Sequence, residues 1–331
     1  MSMFSLHLCG PETTYGALRR RQVTSIRVSA CRRNFFTSGS NPVRLMVKGK
    51  TSLAALREEL NRIDNTLHDL IMERAAIAES VAISKGDAPV WRPAREAQIL
   101  RRLIERHSGP FPRATLVAIW REIISAMVRL QGEFAIAVHA PENDRNCRDL
   151  ARAHFGGEAP MAYYGTPRAV VTAVQDGSAS VGVLPLPEDS EEAPWWTVLA
   201  GMSDNKVSVC ARLPFAPGKG DGAYCVAAIP PEESESDNSL FVLRTNPQVS
   251  RARLNDAIAA AGIKPIRLIS HPARHDDISV FLAELSGFAG PEDARIARLI
   301  DPDGGIAEAA VFLGVYAIPF DAADISNRGG V

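Results

Sequence analysis

From Leu53 onward the apolar residues fall at Leu53, Leu56, Leu60, Ile63, Leu67, Leu70, Ile77 and Val81, with Arg74 filling the slot between the last two pairs. Steps of three and four keep one stripe on one face of an α-helix, because about 3.6 residues complete a turn. Pro89 and Pro93 close this segment, so the pattern predicts a helix of about 33 residues against a globular mean of roughly 12. A second helix is predicted from near Pro93, carrying Ile99, Leu100, Leu103 and Ile104 and ending at Gly109, Pro110 and Pro112. A third carries Leu116, Trp120, Ile123, Met127 and Leu130, again in steps of three and four. A long helix with a continuous apolar stripe needs other helices beside it, and three helices of such unequal length predict an intertwined dimer.

After Phe134 the period changes. Short β-rich runs alternate with helical ones: FAIAVHA, a helix to His154, MAYYG, PRAVVTAVQDG, SVGVLPL, a helix with Trp195 and Trp196, KVSVCARL and AYCVAAI. This alternation predicts a small α/β layer. From 238 to 319 the order is strand SLFVLR, helix SRARLNDAIAAAG, strands KPIRLIS and ISVFLAEL, helix EDARIARLI and strand AVFLGVYAIP. A β-α-β-β-α-β succession predicts a ferredoxin-like fold. The expected organisation is therefore multi-domain: a disordered extension over 1–50, an all-α module over 51–134, an α/β half-domain over 135–231, a ferredoxin-like domain over 237–320 and a disordered tail over 321–331.

Charge sharpens this division. Residues 1–50 hold nine Lys or Arg against one acid, Glu12, which fits a transit peptide or a stretch ahead of a start at Met46. Beyond them 28 basic residues face 37 acidic ones, a net of −9, so the body lacks the basic excess that binds nucleic acid. The cysteines Cys9, Cys31, Cys147, Cys210 and Cys225 include no C-x-x-C pair and no Cys/His grouping at metal-ligand spacing. Free thiols in the cytoplasm are expected, with no metal. No apolar run reaches the roughly 18 residues that cross a bilayer, so no membrane partner is expected. The glycines of 218–222 and the pair His271 and His275, beside Asp276 and Asp277, read as turns rather than as a phosphate loop or a metal site.

A guanidinium in an apolar stripe is costly unless it meets an anion, and Arg74 is such a residue; the alternative is that it snorkels to solvent. Lys85 lies eleven residues on, about three turns, and so shares its face. Arg57, seventeen residues earlier, is rotated by about 100° and so can serve a different site.

The segments LAALREELNRID, LIMERAAIAESVAISK, WRPAREAQILRRL and IWREIISAMVRLQ resemble, in order and spacing, the three helices of the all-α, AroQ-type chorismate mutases. The resemblance implies a cofactor-free enzyme that rearranges chorismate to prephenate on the route to phenylalanine and tyrosine. Its implied crossing arginine, reaching the partner's site, falls on Arg57, the same-subunit carboxylate-binding arginine on Arg74 and the ether-oxygen lysine on Lys85. The next arginine and glutamate fall on Arg95 and Glu96, and the glutamine near the end of the third helix on Gln131. Two positions depart from the pattern: a frequent Asp is Arg92, and a small polar residue is Met127.

These residue types suit a unimolecular [3,3] rearrangement, which needs no nucleophile, metal or redox group. Arg57 and Arg74 would clamp two carboxylates in a compact conformer, because a planar fork fixes orientation as well as charge. Lys85 and Gln131 would donate to the ether oxygen where negative charge builds, and Lys85 would act chiefly on rate. Glu96 would accept from the ring hydroxyl, with Arg95 in support.

The run HFGGEAP, the helix ending at Gly177 and the strand VGVLPLPEDS resemble part of a prephenate dehydratase, which would make the chain similar to the bifunctional mutase and dehydratase of phenylalanine synthesis. The dehydratase has two lobes, and about 95 residues stand here for both. Its Thr-Arg-Phe strand is replaced by Ala223, Tyr224 and Cys225, and its Glu-Asn-Ser turn by Glu188, Asp189 and Ser190. A degenerate, non-catalytic half is expected. The C-terminal segment looks like an ACT regulatory domain, with LISHP and LGVYAIP at its motif positions and Gln248, Val249, Ser250 and Arg251 in place of its amino-acid-binding turn. The resemblance implies an aromatic amino acid effector there, or a dimerisation module without ligand. The leading expectation is thus a dimeric chorismate mutase; the alternatives are the bifunctional enzyme and a catalytically weak, ligand-binding regulator.

Overall fold

The structure is a computed structural model that describes residues 52–326, apart from 87, 190, 202–206, 219, 273–277 and 301–303. The expectations for 1–50, for His275, Asp276 and Asp277, and for the end of the tail lie outside the described residues. The contacts divide the chain into two units, Met1–Arg57 and Glu58–Val331.

Three helices come first: α1 (Leu53–Lys85), α2 (Pro93–Arg106) and α3 (Arg113–Gln131). Pro93 stands in the first turn of α2, where its missing N–H costs nothing. The stripe of α1 is laid open. Leu60, Ile63, Leu67, Leu70, Ile77 and Val81 are all between 38 and 58% exposed. In α3 the buried face runs through Val117, Arg121, Ile124, Ser125, Met127 and Val128. The row expected from periodicity, through Leu116, Trp120, Ile123 and Leu130, is displaced from it by about one residue; those four are partly or fully exposed.

The rest is built on one nine-stranded mixed sheet: β1 (Ile136–His139), α4 (Asn146–Phe155), β2 (Met161–Tyr164), α5 (Pro167–Gln175), β3 (Val181–Pro185), α6 (Trp195–Ala200), β4 (Ser208–Leu213), β5 (Ala223–Ala227), β6 (Asp237–Thr245), α7 (Arg251–Ala260), β7 (Pro265–Pro272), β8 (Ser279–Ser286), α8 (Ala294–Ala297), β9 (Ala309–Ala317) and α9 (Ala322–Ile325). The strand order is β2-β1-β3-β5-β4-β9-β6-β8-β7. Alternation assigns faces: Tyr224 and Val226 of β5 join α5 and α6 on one side, while Ala223, Cys225 and Ala227 join α4 on the other. Strands β6, β8 and β9 carry α7 and α8 on a third core around Phe241, Leu254, Ile258 and Leu285.

Two halves that read as separate layers are thus one sheet. They meet where β4 pairs in parallel with β9 at Val209 and Gly314, beside a bulge between Val209 and Ala211. Gly314 has φ 151°, and a Cβ there would lie 2.1 Å from the Val209 carbonyl oxygen, so only glycine lets the strands approach.

The helices also share a core with the sheet. Ala97, Leu100, Ile104, Val117 and Ile124 bury themselves with Phe215, which follows β4, and Ala317 at the end of β9, with Phe320 and Ile325 packed alongside. Arg101 fastens the contact, donating to the carbonyls of Ser234 at 2.6 Å, Ser236 at 2.8 Å and Ile318 at 3.0 Å.

Three expectations are corrected. The run EDARIARLI forms only the four-residue α8, begun by an Asp293 cap and followed by turns rather than further helix. The first part of the supposed tail folds as α9, whose Asp321 and Asp324 form a reciprocal capping box. His271 lies in β7, not in a turn. No helix among the described residues is long and apolar enough to cross a membrane.

Candidate functional site

A cleft of about 370 Å³ opens between α1, the segment before α2, α2 itself and α3. Arg74, Arg95, Glu96 and Gln131 all line it, as do the two departing residues, Arg92 and Met127. The walls between them are apolar, from Ile77, Val81, Ile99 and Ile124. Arg57 is the last residue of the first unit, and the side chain of Lys85 is outside the described set, so four of the six expected polar residues are brought together.

Arg74 is half-buried, with its guanidinium carbon 5.7 Å from the centre of the Trp120 ring. Burial disfavours its charge, and the Glu96 carboxylate opposes that. Arg95, on the exposed side of α2, donates to Gln98 at 3.2 Å. The amide of Gln131 donates to the Met127 carbonyl at 3.0 Å, a bond it must exchange to reach a ligand, at a cost of about 1 kcal/mol. Arg92 pairs with Glu232 in the loop before β6.

Glu96 is buried, and Arg121 of α3 donates to its Oε2 at 2.7 Å. Desolvation pushes this carboxyl above its ordinary range, against the pull of Arg121, a Trp91 hydrogen bond and Arg74. Arg121 in turn lies 5.0 Å over the Phe215 ring, and its Nη1 is 3.4 Å from His154 Nε2. The expected hydroxyl acceptor is therefore held in place by residues from α3, α4 and the loop after β4. Periodicity missed Arg121, Trp91 and His154. A usable signal was present for Arg121, which repeats with Val117, Ile124 and Val128 in steps of four and three.

Burial, together with the adjacent Arg121 cation, pushes the His154 imidazole well below its usual value of 6.5. It stays neutral in the fold, while the unfolded chain takes up a proton near pH 6.5. The unfolded state then binds more protons, so stability falls as pH drops below that point, by up to about 1.4 kcal/mol per pH unit. His154→Gln should flatten this limb in urea unfolding curves between about pH 6.5 and 5. An unchanged slope would show that His154 titrates normally.

A second polar cluster sits where the half-sheets join. Arg212 lies 3.5 Å from Glu284, which also accepts from Tyr316, and Asn238 donates to the Tyr316 hydroxyl at 3.2 Å. Burial raises the Tyr316 phenol to about 12. Tyr224 is buried beside Tyr316 with ring centres 5.4 Å apart. At the start of α7, Arg251 donates to Asp189 at 2.7 Å, and Asp189 also accepts the Ser270 N–H at 3.1 Å. Among the described residues no group of three or more His, Cys, Asp or Glu is placed to hold a metal ion.

Cations and a buried carboxylate around an apolar cleft define a helical module whose polar groups face one cavity. Residues 56–132 match the family model of chorismate mutase type II. The chain is 32% identical over 172 residues to the bifunctional chorismate mutase/prephenate dehydratase of Pseudomonas aeruginosa, covering 49% of this chain and 46% of that protein. With the enzyme of the same name from Aquifex aeolicus it shares 34% over 140 residues, 40% of this chain and 38% of the relative. The chain spans just under half the length of the first of these relatives, in an alignment longer than the helical segment. The prephenate dehydratase structure from Streptococcus mutans overlaps 56% of this chain and 99% of its own at a TM-score of 0.42 and 16% identity, too slight a likeness to build on.

Proposed function

We propose that the protein is a chorismate mutase that rearranges chorismate to prephenate without a cofactor. The observation that carries this reading is the meeting of Arg74, Arg95, Glu96 and Gln131 in one cleft of the matched domain. The reaction needs its substrate folded into a chair and its ether oxygen stabilised as charge builds there. Arg74 and Arg57 would hold the two carboxylates, Lys85 and Gln131 would donate to the ether oxygen, and Glu96 would receive the ring hydroxyl. The working form is a homodimer. Its support is the open stripe of α1, since contiguous apolar surface of this kind marks an interaction site and a second α1 supplies a matching one.

The α/β region would act as support rather than as a dehydratase, since β5 presents Ala223, Tyr224 and Cys225 as buried core. Asp189 engages Arg251 and the Ser270 N–H, which favours a ligand-free structural role for the ACT-like part over an aromatic amino acid effector site.

Purified protein incubated with chorismate should yield prephenate and no phenylpyruvate. Absence of prephenate would remove the mutase reading, and phenylpyruvate would restore the bifunctional one. Mixing Arg57→Ala with Arg74→Ala subunits should recover one competent site per heterodimer, up to about a quarter of wild-type sites per chain pair under random assortment. No recovery in heterodimers shown to form would rule out a site shared between subunits.

A further inference from the structure

A second cavity, of about 340 Å³, lies between the segment ahead of α2 and strands β4 and β9. Its size falls in the range of small-molecule sites, and its walls are ready-made: Pro89, Pro93 and the Pro230–Pro231 pair have fixed φ, and Val209 and Val315 project from paired strands. Among the described residues Arg92 and Glu232 are its only charged lining residues, and they pair with each other. Each side chain of that pair is more than a third exposed, so it is a weak contact that a competing anion can replace. Cys210 also lines the cavity, but its thiol is directed at the Cys225 carbonyl at 3.4 Å and burial pushes it up. It offers apolar surface and no nucleophile.

We infer that this cavity binds a small carboxylate with a flat apolar body, the body against Trp91, Ile229 and Val209 and the carboxylate taking the place of Glu232 on Arg92. Glu232 is the internal stand-in for that group, with the same charge and the same partner. A cationic ligand would meet Arg92 in the mouth, and a neutral one would leave the ion pair undisturbed and gain only from the walls. The assignment uses none of Arg74, Arg95, Glu96 or Gln131; Arg92, which also borders the cleft between the helices, is the charged residue the two cavities share.

The test is calorimetric titration of the full chain with 3-phenylpropionate, and with 3-phenyl-1-propanol as its neutral counterpart, in the absence of chorismate. Glu232→Ala removes the internal competitor and should tighten 3-phenylpropionate roughly fivefold while leaving the alcohol unchanged. Ser208→Trp, which fills the cavity from β4, should abolish binding of both with the circular dichroism spectrum retained. Should that variant not fold, Ala88→Trp at the rim serves in its place. Equal affinity of the carboxylate for wild type and Glu232→Ala, binding that survives the filling variant, or no binding to Glu232→Ala would each overturn the assignment.

Discussion

Arg121→Met is expected to destabilise the fold by about 3–5 kcal/mol at neutral pH, the usual cost of leaving one member of a buried ion pair without its partner. Arg121 and Glu96 are 6 and 7% exposed, and the bond between them is 2.7 Å, so water cannot stand in for the lost guanidinium. Methionine keeps much of the packing on Phe215, which makes the loss a matter of charge. The double variant Glu96→Gln, Arg121→Met should regain a large part of it, since a neutral amide needs no counter-charge. The single variant should suffer least at low pH, where Glu96, already pushed upward by burial, takes up a proton. Urea unfolding at pH 8 and pH 5 reads both effects. A loss below about 1 kcal/mol would mean that the carboxylate reaches solvent.

The largest effect on turnover should come from Arg74→Ala, with kcat/KM for chorismate falling by about 10²–10³, the range for deleting one preorganised donor in an active cleft. The guanidinium is positioned beforehand by the Trp120 face and the field of Glu96, so the cleft spends nothing on organising it during the reaction. Because Arg74 is half-buried and, among the described residues, has no hydrogen-bonded anion to strand, the unfolding midpoint should move little. Arg74→Lys should recover only part of the rate, since an ammonium cannot make the two-pronged contact. A drop of less than about tenfold for Arg74→Ala would take Arg74 out of substrate binding.

The helices and strands were legible because each is marked by its own period and by Pro or Gly at its ends. Of the residues lining the cleft, Arg74 stood out by its place in the apolar stripe, whereas Arg95, Glu96 and Gln131 came only from the resemblance to the mutase helices. What escaped was whatever depends on distant partners. Arg121 looks like a solvent-facing cation beside Trp120, and only Glu96, Phe215 and His154 make it a core residue. The same ambiguity turned the buried face of α3 by one residue. Nothing local announces that β4 and β9 touch, although Gly314 inside LGVYAIP carries the requirement. The helix expected over EDARIARLI failed for the opposite reason: its propensity is local, and the turns after Ala297 that let Leu299 reach the core around Phe241 overrode it.

The core that α2 and α3 share with Phe215 and Ala317 has a consequence for how the chain can change over time. A stop codon soon after residue 134 would leave Leu100, Ile104 and Ile124 facing water and Arg101 without its three carbonyls. The helices would then have to be re-surfaced before they could be inherited alone. An appended region can in this way become impossible to discard, kept by the neighbour that leans on it.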